Sequence, residues 1–145
     1  MTRRYETFSE EETLALAIRI GKSLLSGNVV AFFGGMGMGK TLFTRGLAEG
    51  IGIPPAQVSS PTFAIVNRYE GGGKTLLHFD MYRITDEESL YLTGYFDLAG
   101  DEILAIEWSE NITDFLPKNA VRVTIAQGDD ENTRIITIED NRGRE

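Results

Sequence analysis

Residues 29–50 read VVAFFGGMGMGKTLFTRGLAEG. An apolar, β-branched run comes first, a glycine-dense segment follows, and a helix-like run closes the stretch. Gly34-x4-Gly39-Lys40-Thr41 fits the Walker A pattern G-x-x-x-x-G-K-[ST]. Glycines there let successive backbone N–H groups curl around phosphate oxygens without Cβ clashes. The helix that follows turns its positive N-terminus toward the same anion. In such a loop the segment Gly35, Met36, Gly37, Met38 and Gly39 lines the phosphates. Lys40 reaches the β- and γ-phosphates, and Thr41 offers its hydroxyl to Mg²⁺. A shuffled chain of this composition shows the pattern roughly once in 150 trials. With the required strand before it and the required helix after it, a mere glycine-rich turn is the weaker reading.

At 145 residues, 41% apolar and 25% charged, the chain fits one globular domain with a full core. We expect that domain to span residues 1–140, with 141–145 as a frayed polar tail. No segment approaches the ~18 apolar residues of a membrane helix. Met1-Thr2-Arg3-Arg4 has no apolar stretch behind it, so no export signal is expected. The absence of cysteine excludes disulfides, thiolate zinc sites and thiol nucleophiles. A cytoplasmic protein is the expectation, and the sequon Asn111-Ile112-Thr113 then reads as accidental. Net charge is −8, and the basic residues are scattered. A protein that grips nucleic acid unaided shows a basic patch, so any such contact is expected to run through a partner protein.

Ser9 and Glu12 form a capping-box signature for a helix that presents Leu14, Ala17, Ile18, Gly21 and Leu25 on one face and ends at Gly27. Residues 28–33 read as a buried strand and 41–50 as a helix with Leu42, Phe43, Leu47 and Ala48 inward. Pro54-Pro55 and Ser60-Pro61 punctuate a loop. Residues 63–69 and 74–80 read as a hairpin with a flexible Gly71-Gly72-Gly73 tip. A short helix at 86–92, a buried strand at 103–106 and two alternating strands at 121–126 and 133–139 complete the pattern. Helices and strands alternate early and strands dominate late. This predicts an α/β, three-layer P-loop NTPase-like domain with a central mixed parallel/antiparallel sheet.

A phosphate loop needs an acid at the end of a neighbouring buried strand to hold the magnesium shell. "TLLHFD" ends in Asp80 and "ILAIE" ends in Glu107. Glu107 follows the more uniformly apolar run, the better sign of a central strand, and is preferred for Mg²⁺. Asp80 is then left for a water of the shell, Lys40 or the attacking water. His78, the sole histidine, shares Asp80's face by alternation and reads more readily as a hydrogen-bonded structural residue than as a base. Arg83 fits an internal arginine finger and a plain ion pair about equally. Trp108 is a core residue or a reporter beside the metal acid. Thr62, in Ser59-Ser60-Pro61-Thr62, fits either a γ-phosphate switch or a Ser-Pro turn.

A GTPase would carry N-K-x-D, which is absent, and a small-molecule kinase would need a lid that this length does not supply. Five blocks in order resemble the bacterial TsaE (YjeE) family, the P-loop ATPase of tRNA threonylcarbamoyladenosine synthesis. They are GGMGMGKT (34–41), SSPTFAIVNRY (59–69), HFDMYRI (78–84), GYFD (94–97) and ILAIEWSE (103–110). The resemblance implies catalytic roles for Lys40, Asp80 and Glu107, magnesium at Thr41 and Glu107, and ATP against the loop, Thr62 and Trp108. It places the helix start near Glu10 by the adenine and, more loosely, Arg134 near the nucleotide. Met38 stands where the family often has alanine, and Leu42 where it often has threonine, so the phosphate-binding set stops at Thr41. The implied cofactors are ATP and Mg²⁺. The implied partner is a TsaB–TsaD heterodimer, with tRNA met indirectly within that complex and neither membrane nor DNA as partner. The competing functions are a P-loop small-molecule phosphotransferase and a nucleotide-sensing scaffold without useful turnover.

Overall fold

The computed structural model describes residues 1–34, 39–58, 65–98 and 100–143. Among them the apolar runs condense into one seven-stranded sheet of order β1-β7-β6-β2-β5-β4-β3. The strands are β1 Thr2–Thr7, β2 Val29–Phe33, β3 Val66–Gly71, β4 Lys74–Asp80, β5 Ile103–Glu107, β6 Val121–Gln127 and β7 Arg134–Asp140. β6, β2, β5 and β4 are parallel, while β7 and β1 on one flank and β3 on the other are antiparallel additions. The mixed α/β architecture expected from the sequence is therefore present.

Helices α1 (Glu10–Ser23) and α2 (Lys40–Ile51) lie side by side on one face, over a core that includes Phe32, Phe43, Leu47, Ala105 and Val123. The opposite face is covered over β4 and β5 by α3 (Glu87–Tyr91) and 3₁₀ turns, which bury Phe79, Leu90, Leu104, Ile106 and Ile112. β5 is consequently buried at all five positions, as a strand enclosed on both faces must be.

Three glycines set the helix pair. A Cβ on Gly46 would press on Ala17, one on Gly21 on the Leu47 backbone, and one on Gly50 on the Ile18 backbone. Leu14 and Ala17 face Gly46 while Ile18, Gly21 and Lys22 face Gly50, so α1 and α2 run parallel at close range. Glu10 and Lys40 are the first residues of these two helices. Strand directions complete the picture: β1 ends at Thr7, β2 runs into Gly34, β4 ends at Asp80, β5 ends at Glu107, and β7 begins at Arg134, all at one edge of the sheet. Ligands of open α/β sheets bind outside this carboxyl edge.

Several expectations change in detail. Ser9 does cap α1, accepting from the Glu12 amide, but Glu12 returns its carboxylate to the Phe8 amide, one residue before the cap. The helix ends at Ser23, not Gly27, because Leu24 turns extended and buries itself. Leu25 is thereby left 65% exposed, outside the face assigned to it. The glycine hairpin closes with two left-handed residues, Gly72 and Gly73, and packs its tip against Ile51–Ile53 instead of standing free. Asn141 is not frayed: it is 4% exposed and donates to the Ala120 carbonyl. Arg142 pairs with Asp140 and reaches the Ser23 carbonyl. Strand β1 was not anticipated at all.

Candidate nucleotide site

β2 delivers the chain to Gly34, whose φ of +129° and close approach to the Ile125 carbonyl leave no room for a side chain. Gly39 caps α2 in the left-handed region with no side-chain hydrogen bond at the cap. The first amides of α2 are thus left to other acceptors, the arrangement a phosphate uses. Lys40 is 5% exposed; its Nζ donates to the Gly34 carbonyl (2.9 Å) and sits 4.4 Å from the centre of the Trp108 ring. Thr41 occupies the first turn of α2 beside it. Gly35, Met36, Gly37, Met38 and Thr62 lie outside the described residues.

Asp80 and Glu107 are register partners at the ends of parallel neighbours β4 and β5, so their Cα atoms stand about 4.8 Å apart. Glu107 is 6% exposed, and its Oε2 accepts from His78 Nε2 (2.5 Å). His78 is fully buried; its Nδ1 faces the Tyr69 hydroxyl at 3.5 Å, and Asn67 donates to that hydroxyl at 3.3 Å. Three strands therefore orient one carboxylate. Asp80 is less enclosed and accepts from the Tyr82 amide (2.9 Å). Burial raises its carboxyl above the ordinary carboxylate range and nearby Glu107 adds to the rise. The Tyr82 amide, His78 and Lys40 oppose it.

The turn after β5 connects these parts. Trp108 adopts φ 61°, ψ 41°, the only positive φ among described non-glycine residues, and its ring packs on Tyr82 at 4.9 Å. Glu110 accepts from the Gly34 amide at 3.0 Å. The Asn111 side chain donates to the carbonyls of Met81 (2.8 Å) and Tyr82 (3.3 Å). Glu110 and Asn111 received no role from the sequence. Their spacing behind Glu107-Trp108 was the available signal, but it becomes meaningful only when Trp108 turns left-handed. Arg83 is exposed. Glu10, also exposed, begins α1 at the same edge of the sheet. Arg134 turns its guanidinium back to the Glu131 and Thr133 carbonyls.

Among the described residues, no three His, Asp or Glu side chains form a metal-binding group. Mg²⁺ does not require one, since it keeps several waters and is held by one or two protein oxygens with nucleotide phosphates. The oriented Glu107 carboxylate, with Thr41 at the start of α2, fits that donor set. No described helix is long and apolar enough to cross a membrane.

Fold and site together define an α/β domain of the P-loop NTPase-like kind. The chain belongs, more particularly, to the family described as "Threonylcarbamoyl adenosine biosynthesis protein TsaE", whose profile matches residues 7–136. It is 39% identical over 141 residues to the tRNA threonylcarbamoyladenosine biosynthesis protein TsaE of Bacillus subtilis, covering 96% of this chain and 87% of the relative. The TsaE of Nostoc sp. is 38% identical, covering 83% and 76%, and that of Aquifex aeolicus is 40% identical, covering 70% and 73%. The crystal structure of Bacillus subtilis YdiB superposes with a TM-score of 0.76 at 28% identity, covering 99% of this chain and 88% of that one.

Proposed function

We propose that the protein is a Mg²⁺-dependent ATPase subunit for threonylcarbamoylation of adenosine 37 in ANN-decoding tRNAs, working in the cytoplasm with a TsaB–TsaD heterodimer. The observation that carries this reading is the meeting of three features at one sheet edge. These are the uncapped start of α2 with buried Lys40, the carboxylate pair Asp80–Glu107, and the aromatic Trp108 over the lysine. Membership in the TsaE family supplies the tRNA-modification context.

In this reading the α2 amides and Lys40 bind the phosphates and stabilise the negative charge that grows on the γ-phosphoryl oxygens. Lys40 exchanges the Gly34 carbonyl for a phosphate oxygen, a short swing for a side chain already held at the loop. Thr41 and Glu107 hold the magnesium-linked oxygens, and His78 fixes the Glu107 rotamer. Mg²⁺ bound with the nucleotide would supply charge neutralisation to the phosphates. Asp80, kept prone to protonation by burial and by Glu107, orients the attacking water and takes its proton. The described residues show no arginine committed to the site, so turnover of the isolated chain is slow and rises when the partner docks.

The test is ATP hydrolysis by the purified chain, alone and with a purified TsaB–TsaD heterodimer. Mg²⁺-dependent phosphate release that the heterodimer accelerates is expected. Transfer of the phosphoryl group to a metabolite would make the protein a phosphotransferase instead. Tight ATP binding with no phosphate release, even with the heterodimer, would make it a sensing scaffold.

A further inference from the structure

We infer that Glu110 is a positioning residue for the phosphate-binding loop, acting through the Gly34 peptide. The inference rests on the reading that this loop takes ATP.

Gly34 is the hinge between β2 and the loop. Its left-handed φ has no side chain to anchor it, and an unanchored glycine has the greatest backbone freedom of any residue. The structure holds this one residue at three points. Glu110 Oε2 takes its N–H, Lys40 Nζ donates to its carbonyl, and the Ile125 carbonyl blocks its Cα side. The Glu110 contact is charge-assisted, the stronger kind of hydrogen bond.

Glu110 reaches Gly34 because Trp108 is left-handed, an unfavourable conformation for a bulky residue. Its neighbours over-determine it. Ser109 Oγ donates to the Ile106 carbonyl, the Asn111 amide to the Trp108 carbonyl, and the Asn111 side chain to the chain leaving β4. One four-residue turn therefore fixes the start of the phosphate loop, covers its lysine and pins the segment behind Asp80. The position also has a cost for ligand binding, because a carboxylate stands at the mouth of a site for a triphosphate. Only a residue needed as an acceptor belongs there, and this separates its two properties experimentally. Glutamine retains an acceptor and loses the charge, whereas alanine loses both.

The experiment uses the full chain with Glu110→Ala and Glu110→Gln, both exposed-site changes that leave the fold intact by thermal melting. Gly34 amide hydrogen exchange is read by NMR, and Mg-ATP affinity by calorimetry and Trp108 fluorescence. E110A is expected to speed Gly34 exchange and weaken Mg-ATP about ten- to a hundredfold, the range for losing a hydrogen bond to a charged group. E110Q is expected to keep Gly34 protected and to bind at least as tightly as the wild type. Unchanged exchange and affinity in E110A would overturn the inference, as would E110Q falling as far as E110A. A wild type that binds no Mg-ATP would defeat the proposed function, while the exchange measurement would still decide whether Glu110 holds Gly34.

Discussion

β4 and β5 run parallel, end level with one another and each finish in an acid, yet the two ends differ in how the acid is held. At the end of β5, Glu107 is buried and tied to His78 on β4, which itself is backed by Tyr69 and Asn67, both on β3. At the end of β4, Asp80 accepts from the Tyr82 amide and has a carboxyl pushed upward by burial. One position fixes a carboxylate in direction; at the other, burial lifts the carboxyl above its ordinary range. Two acids at equivalent register positions thus differ through their surroundings alone, and the proposed function assigns them separate tasks.

The largest effect should come from breaking the β5 side. Glu107→Ala leaves the buried His78 Nε2 without its hydrogen-bond partner, and an unsatisfied buried polar group costs about 1–3 kcal/mol. Chemical denaturation should show that loss, together with loss of Mg²⁺-dependent hydrolysis. Lys40→Ala, which removes the cation over Trp108 and near Asp80, should lower hydrolysis ~10²- to 10³-fold, the size expected for one lost donor to transition-state charge. Normal turnover by that variant would remove the Walker assignment.

Asp80→Asn should behave in the opposite way to Glu107→Ala toward stability. A carboxyl whose folded value lies above its ordinary 3.8 binds more protons in the native state, so its contribution to stability declines as pH rises through that window. Above it, the wild type carries a disfavoured charge that the amide does not. Melting of the nucleotide-free protein near pH 7 should therefore rise in Asp80→Asn while hydrolysis is lost. Equal melting curves would show that the two strand ends differ less than their surroundings indicate.

The smallest effect belongs to a pair far from this edge in function. The Arg142 guanidinium holds Asp140 below the ordinary carboxylate range. That stability is present at neutral pH and is lost as pH falls through the lowered value. Being partly exposed, the pair is worth at most about 1 kcal/mol. Arg142→Ala should shift melting slightly and leave ATP turnover unchanged.

Much of this arrangement can be read from the chain before folding is considered. The apolar run 29–33 and the run after Lys40 place a strand and a helix where the structure has them. The alternation in 74–80 puts His78 and Asp80 on one face. β1 escapes a sequence reading because TRRYET shows no clear apolar alternation: most of its side chains are exposed, and its partner strand β7 lies at the far end of the chain. The end of α1 was misjudged because Leu24 and Leu25 are equally apolar, and only the extended turn at Leu24 decides which is buried. Glu110 and Asn111 were illegible for a stronger reason. Their contacts depend on a left-handed tryptophan, a conformation that residue type argues against.

The division of labour between the two acids is tested most directly by ATP binding with and without Mg²⁺, compared in wild type, Glu107→Gln and Asp80→Asn. The account predicts that Glu107→Gln loses the enhancement of ATP binding by Mg²⁺, while Asp80→Asn keeps it and fails only in hydrolysis. Full Mg²⁺ enhancement in Glu107→Gln together with its loss in Asp80→Asn would contradict the account and reverse the two roles.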